Sequence, residues 1–228
     1  MNVLKEFNIK TNNPELFEIA FVHSSYKVKY NLKKDYERLE FLGDSVLSLL
    51  VSHYLYENYE EFEEGGLTKL RSNFVCEDAL EYYSFYLGFD KYLKMSNDNM
   101  TKNEIKSANA DIVESFLGAL FLDQGIEKTK EFLERYIFKF IDSRYVFFTD
   151  YKSKIKEYGD ANEIEIKYEI VKETGYQHDK TFIMKILLDN KSFGLGKGKS
   201  KKEAEQSAAK LAVDKLGIDK NIFSVKKK

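Results

Sequence analysis

The stretch DYERLEFLGDSVLSLL, residues 35–50, decides how this chain is read. Leu39, Leu42, Val46, Leu47, Leu49 and Leu50 recur at three- and four-residue spacing, which predicts a substantially buried helix. On it Glu37, Glu40 and Asp44 stand at i, i+3 and i+7; at about 100° per residue they fall within roughly 60° of arc and share one face. Unpaired carboxylates are costly to bury, so something positive must face them. A second apolar stretch, DIVESFLGALFLD at residues 111–123, repeats the device: Asp111 and Glu114 lie at i, i+3 among Ile112, Val113, Phe116, Leu117 and Leu120. Packed together, the two helices would bring Glu40, Asp44, Asp111 and Glu114 into an all-oxygen cluster that suits a hard cation such as Mg²⁺ or Mn²⁺. Arg38 and Arg71 are the alternative neutralising partners, and the sequence leaves both readings open.

Outward from these helices the pattern stays helical from Glu15 to Ile141. Tyr151–Tyr158 is read as one short helix, after which the apolar period drops to two at Ile164, Ile166, Tyr168 and Ile170. A turn candidate (ETGYQHDK), a β-rich run (TFIMKILL), a Gly-rich hairpin region (KSFGLGKGKS) and a helix with Ala204, Ala208, Leu211 and Ala212 on one face complete an α-β-β-β-α order. The expected architecture is therefore multi-domain: an all-α domain over residues 1–148, an α+β domain over 149–218 and a basic tail over 219–228.

The 228 residues suffice for one domain or two small ones, each with a real core. The formal net charge of −2 hides two opposite halves: residues 1–148 carry 18 Lys+Arg against 25 Asp+Glu, and residues 149–228 carry 18 against 13. Such asymmetry points to a polyanion partner for the second half. With Cys76 the sole cysteine, an intrachain disulfide and a multi-cysteine zinc site are excluded, and His23, His53 and His178 offer no HExxH pair. Charges at Lys5, Glu6 and Lys10 interrupt the amino terminus, and no window approaches 18 uncharged apolar residues, so a cytoplasmic protein without a membrane span is expected. GLGKGKS imitates a phosphate loop, but a Walker A motif ending at Gly198-Lys199-Ser200 needs glycine at position 193, which is Phe193; no nucleoside-triphosphate site is expected.

ERLEFLGDSVL (Glu37–Leu47) and ADIVESFLGALFLDQG (Ala110–Gly125) resemble the signature and the second acidic motif of ribonuclease III; FVHSSY (Phe21–Tyr26) and EEGGLTKLRSNFV (Glu63–Val75) resemble that family's other segments. The resemblance implies an all-helical catalytic domain acting as a homodimeric endonuclease. It would cut double-stranded RNA with divalent metal and leave 5′-phosphates, 3′-hydroxyls and short 3′ overhangs, on substrates such as ribosomal precursors. Carried over by motif, Asp44 and Glu114 are catalytic, Glu40, Asp111 and Glu114 hold the metal, and Glu37 and Glu64 are auxiliary acids. Mg²⁺ is the expected ion, with Mn²⁺ as substitute. Met95–Asn109 departs from the family in lacking a Gly-rich stretch, and Asn109 replaces a common leucine.

The basic half resembles the double-stranded RNA-binding domain, with GKSKKEAEQSAAKLA (Gly198–Ala212) as its last motif. Ser200 and Glu203 form an S-x-x-E capping box that puts Lys201 and Lys202 in the first helical turn. Cations there oppose the helix dipole unless a phosphate binds, so Lys199, Lys201 and Lys202 are read as backbone contacts. The resemblance adds Glu157 and His178 as minor-groove contacts. The rival reading is a catalytically silent double-stranded RNA-binding protein that uses the nuclease-like fold for dimerisation.

Overall fold

The structure, a computed structural model, describes residues 2–96, 100–175 and 180–218. The chain divides after Phe148 into two compact units. In the first, α1 (Asn2–Glu6), α2 (Pro14–Ile19) and α3 (Ser24–Lys29) lead into α4 (Glu37–Asn58), followed by α5 (Glu64–Phe74), α6 (Glu77–Leu87), a 3-10 turn at Phe89–Tyr92, α7 (Lys102–Tyr136) and α8 (Phe138–Asp142). None of the described helices is long and apolar enough to cross a membrane.

The packing of α4 on α7 organises this unit. α4 buries Leu39, Val46, Leu47, Leu50, Val51 and Leu55, the inward face of a 3.6-residue repeat. α7 answers with an almost wholly buried run from Ile112 to Leu120. Phe116 on α7 is the aromatic hub, with ring centroids of Phe89 at 4.6 Å, Phe132 at 5.3 Å, Phe17 at 5.6 Å and Phe21 at 6.2 Å. Where the two helices cross, their backbones touch. A Cβ on Gly43 would stand 1.7 Å from the Glu114 carbonyl oxygen, and one on Gly118 would stand 2.2 Å from that of Leu39. Only glycine permits that approach on either helix.

α7 starts on a reciprocal cap: Glu104 N–H donates to Thr101 Oγ1 at 3.2 Å and Thr101 N–H donates to the Glu104 carboxylate at 2.7 Å. Within the glycine-poor Met95–Asn109 segment, helix α7 thus begins at Lys102, while residues 97–99 lie outside the described set. The helix breaks at Gly125, whose φ of 81° side chains rarely adopt. After α8 the chain returns over α5 and α6 and is held there by Asn73, which is 2% exposed. Its Nδ2 donates to the Tyr145 carbonyl at 2.8 Å, and its Oδ1 accepts Phe147 N–H at 2.8 Å and Phe148 N–H at 3.0 Å. Phe147 packs its ring against Tyr82 and Tyr83, with centroids 5.3 and 5.2 Å away. Residues 143–148 therefore belong to the first unit, although no proline or glycine marks its end.

The second unit comprises α9 (Tyr151–Asn162), β1 (Ile166–Thr174), β2 (Thr181–Leu188), β3 (Lys191–Gly198) and α10 (Lys201–Leu216), with an antiparallel sheet in the order β1-β2-β3. This is the expected α-β-β-β-α order, with one correction. The first helix runs past Tyr158 to Asn162. The Gly-rich hairpin region places its glycines in the strand and its turn just before it: Asp189 and Asn190, both at positive φ, turn the hairpin, and β3 then runs from Lys191 to Gly198. Its glycines serve close packing. A Cβ on Gly196 would lie 2.1 Å from both the Ala204 carbonyl oxygen and the Ala208 nitrogen, so the strand lies flush on the alanine face of α10. Ile155, Ile186, Leu188, Ala208, Ala209, Ala212 and Val213 form the core beneath. Asp150 caps α9 by accepting Ser153 N–H at 3.1 Å, and it accepts Gln206 Nε2 of α10 at 2.7 Å, tying the two helices together.

The crossing of α4 and α7 sets opposite signs for one substitution. Gly43→Ala and Gly118→Ala each lower stability by about 3 kcal/mol or more despite a gain of about 1 kcal/mol in helix propensity. Gly65→Ala, on α5 with no atom within 4 Å of the added carbon, is neutral or stabilising. Thermal melts of the three variants check the signs.

Candidate functional site

The glycine crossing brings the acids of α4 and α7 to one place. Glu40, half-buried, is pushed up to about 7 by burial first and then by the charges of Asp111, Glu37, Asp44 and Asp35. Glu114, 9% exposed, is pushed up to about 8 by burial first and then by Asp44, Glu40 and Asp111. Asp111 is also raised by burial, against the opposing pull of the Tyr36 hydroxyl and of His23. Asp44 and Glu37 stand exposed at the rim. The four acids singled out from spacing, together with Glu37, therefore act on one another electrostatically.

No lysine or arginine neutralises them. Among the described residues no Lys or Arg forms an ion pair with Glu40, Asp44, Asp111 or Glu114; Arg71 Nη1 instead donates to Ser52 Oγ at 3.2 Å. Of the two partners left open by the sequence, the arginine alternative is not realised. The donors are all carboxylate oxygens, ranging from buried Glu114 to exposed Asp44 and unpaired by lysine or arginine, which fits a hard divalent cation. They do not form a closed cage: among the described residues no group of three or more His, Cys, Asp or Glu is already gathered as a metal cluster.

Glu64 stands exposed in the first turn of α5, where Thr68 Oγ1 donates to it at 3.1 Å. The charges felt by Glu40 and Glu114 do not include it. The sequence reading passed over Tyr36, 2% exposed, whose hydroxyl donates to Asp111 Oδ2 at 2.9 Å. It also passed over Glu77, in the first turn of α6, whose charge helps to raise Asp111. The one signal for Tyr36 was a polar aromatic at the mouth of the ERLEFLGD helix; Glu77 had none. His23 is a helix cap: its Nδ1 accepts Ser25 N–H at 3.1 Å and lies 2.7 Å from Ser25 Oγ.

In the second unit Lys201 and Lys202 occupy the exposed first turn of α10, with Lys199 exposed just before the Ser200 cap. Ser200 Oγ accepts Glu203 N–H at 3.1 Å, as the S-x-x-E reading requires. The return bond differs: the Glu203 carboxylate accepts Lys199 N–H at 2.7 Å, one residue before the cap. Glu157 lies half-buried on α9. His178 lies outside the described residues.

Comparison with known proteins agrees with both units. Residues 13–141 match the family model described as Ribonuclease-III-like, and residues 151–216 match the Double-stranded RNA binding motif. The protein named Ribonuclease 3 of Listeria monocytogenes is 42% identical over 215 residues, covering 90% of this chain and 92% of its own. That of Streptococcus pneumoniae is 42% identical over 229 residues, covering 95% and 96%. The solved nuclease domain of ribonuclease III from Campylobacter jejuni, in a structure concerned with flexibility in the region involved in dimer formation, superposes with a TM-score of 0.55 at 32% identity, covering 60% of this chain and 94% of that one. The catalytically silent reading is not favoured by such relatives. With four uncompensated carboxylates at a helix crossing and a separate RNA-binding unit, over nearly the whole length of these relatives, the chain belongs to the ribonuclease III family of divalent-metal-dependent endoribonucleases that act on double-stranded RNA.

Proposed function

We propose that residues 1–148 are the catalytic and dimerisation domain, residues 149–218 the RNA-binding domain and residues 219–228 a basic tail. The chain works as a cytoplasmic homodimer that processes ribosomal and other structured precursor RNAs to 5′-phosphate and 3′-hydroxyl ends with short 3′ overhangs. The observation that carries the site assignment is the group of acids on α4 and α7 that burial raises together and no lysine or arginine pairs with. Glu40, Asp111 and Glu114 hold Mg²⁺, for which Mn²⁺ substitutes, and Asp44 and Glu114 are the catalytic carboxylates. The ion supplies Lewis acidity and positive charge against the anionic transition state of phosphodiester hydrolysis.

The chain's own residues prepare that chemistry. Burial keeps a proton on Glu114 at neutral pH when no cation is present, so cation binding and proton release are coupled there. Asp44, exposed at the rim, stays open to an approaching phosphodiester or water. Glu37 and Glu64 are auxiliary acids. Pairing of two catalytic domains is supported by α4 itself: Phe41, Leu49 and Tyr56 recur along one side of the helix and are 79%, 60% and 74% exposed. Phe41 is next to Glu40 in sequence, so a second copy seated on this stripe would bring two sites near each other.

Lys199, Lys201 and Lys202 bind RNA phosphates at the amino end of α10, where the free N–H groups and the helix dipole add to the lysine charge. Glu157 and His178 contribute contacts to the minor groove, whose 2′-hydroxyls mark a duplex as RNA.

Incubating the protein with a long RNA duplex in Mg²⁺ or in EDTA is expected to give short 5′-phosphorylated duplexes in Mg²⁺ alone; Mg²⁺-independent cutting would refute the site. Glu114→Gln is expected to lower cleavage by at least about a thousandfold and to leave duplex binding in a gel shift intact. The paired substitution Lys201→Ala/Lys202→Ala is expected to weaken duplex binding and reduce the slope of log K against log salt by roughly 2. Glu40 and Glu114 also predict a pH effect. Their folded-state values lie above the unfolded carboxylate value, so the folded chain holds extra protons between about 4.5 and about 8. Their contribution to metal-free stability is full below that window and is lost as pH rises through it. Metal-free melts of the wild type should therefore fall from pH 5 to pH 8, and Glu114→Gln should flatten the fall and melt higher at pH 8, by on the order of 3 kcal/mol.

A further inference from the structure

We propose that Tyr36 is a positioning residue of the metal site, holding Asp111 on α7 in register with Glu40 on α4. The inference rests on the reading of Asp111 as a metal ligand. Tyr36 is the residue that opens α4: its carbonyl accepts Leu39 N–H at 2.8 Å and Glu40 N–H at 2.9 Å. Its side chain reaches the other way, to Asp111 Oδ2 at 2.9 Å. One residue thus fixes the backbone of one acid and the carboxylate of another on the facing helix.

Among the described residues the Tyr36 hydroxyl is the hydrogen-bond donor to the Asp111 carboxylate, and at 2% exposure the ring leaves little room for water to replace it. With Oδ2 engaged, Oδ1 is the oxygen left to ligate, which makes Asp111 a directed, one-oxygen ligand. The tyrosine is itself anchored. Its N–H donates to the Val22 carbonyl at 2.9 Å, and its ring meets that of His23 edge-on at 5.6 Å. His23 is held by Ser25, whose Oγ in turn accepts Ser96 N–H at 3.1 Å. The segment from Val22 to Ser25 therefore sets the direction of the phenol before any ion arrives.

The test is direct titration of Mn²⁺ into the full-length protein by calorimetry, alongside thermal melts. Tyr54→Phe is the matched control, because it removes the same hydroxyl from a Tyr–Asp pair near the other end of α4, where Tyr54 donates to Asp142 at 2.6 Å. Tyr36→Phe is expected to weaken Mn²⁺ binding by 10- to 100-fold, as loss of a partner behind a metal ligand typically does, whereas Tyr54→Phe leaves it unchanged. The same variant should need correspondingly more Mn²⁺ for half-maximal cleavage, with a smaller fall in the rate at saturating Mn²⁺. If Tyr36→Phe binds Mn²⁺ as the wild type does while Asp111→Asn loses it, positioning by Tyr36 is refuted and the ligand assignment stands. If Asp111→Asn binds Mn²⁺ normally, the ligand assignment fails and the inference fails with it.

Discussion

Backbone contact at Gly43 and Gly118 is the constraint on which the rest of the first unit depends. The two longest helices lie so close at their crossing that even a methyl group on either glycine would overlap a main-chain carbonyl of the other helix. That closeness converts two unremarkable i, i+3 acid pairs into one site. Gly43 follows Glu40 by three residues and Gly118 follows Glu114 by four, so both acids lie about one helical turn from the contact. A larger residue at the crossing would separate the helices and the carboxylates with them.

Such a site opposes the stability of its own fold. Burial raises Glu40, Asp111 and Glu114, neighbouring carboxylates raise the two glutamates further, and no lysine or arginine pairs with any of them. What holds the acids in place is apolar: Phe116 and its ring of phenylalanines, and the leucine face of α4. The large core beneath the acids supplies the packing energy that offsets holding several carboxyl groups so close together and so far from water. The second unit solves the reverse problem. Its lysines gather at the positive end of α10, and the helix is seated by a seam of glycine against alanine that leaves its amino end exposed.

Much of this was legible in the chain. Apolar periodicity located α4, α7 and the switch to strands; the acids at i, i+3 and i+7 marked the helix face that meets α7; charge asymmetry separated the halves. What was not legible depends on partners distant in sequence. Nothing local distinguishes Gly43, packed against another backbone, from Gly65, which faces open space. Nor does the Gly-rich hairpin show by itself that its glycines make room for α10 to lie on β3. Tyr36 meets Asp111 across 75 positions, and its value lies in that meeting alone. Glu64, taken from a motif, stands on α5 outside the charges that act on Glu40 and Glu114, because a motif records membership of a family and not a distance.

Asn73 has a consequence of a different kind. Its amide reads only main-chain groups of Tyr145, Phe147 and Phe148, one donor and two acceptor contacts made 72 to 75 positions away. The main-chain path by which the chain leaves the helical unit is therefore read at a single buried position, with the rings of Tyr145 and Phe147 packed beside it. Side chains from 143 to 148 other than the packed rings can drift in evolution while the exit keeps its place, so long as the asparagine and those rings are retained.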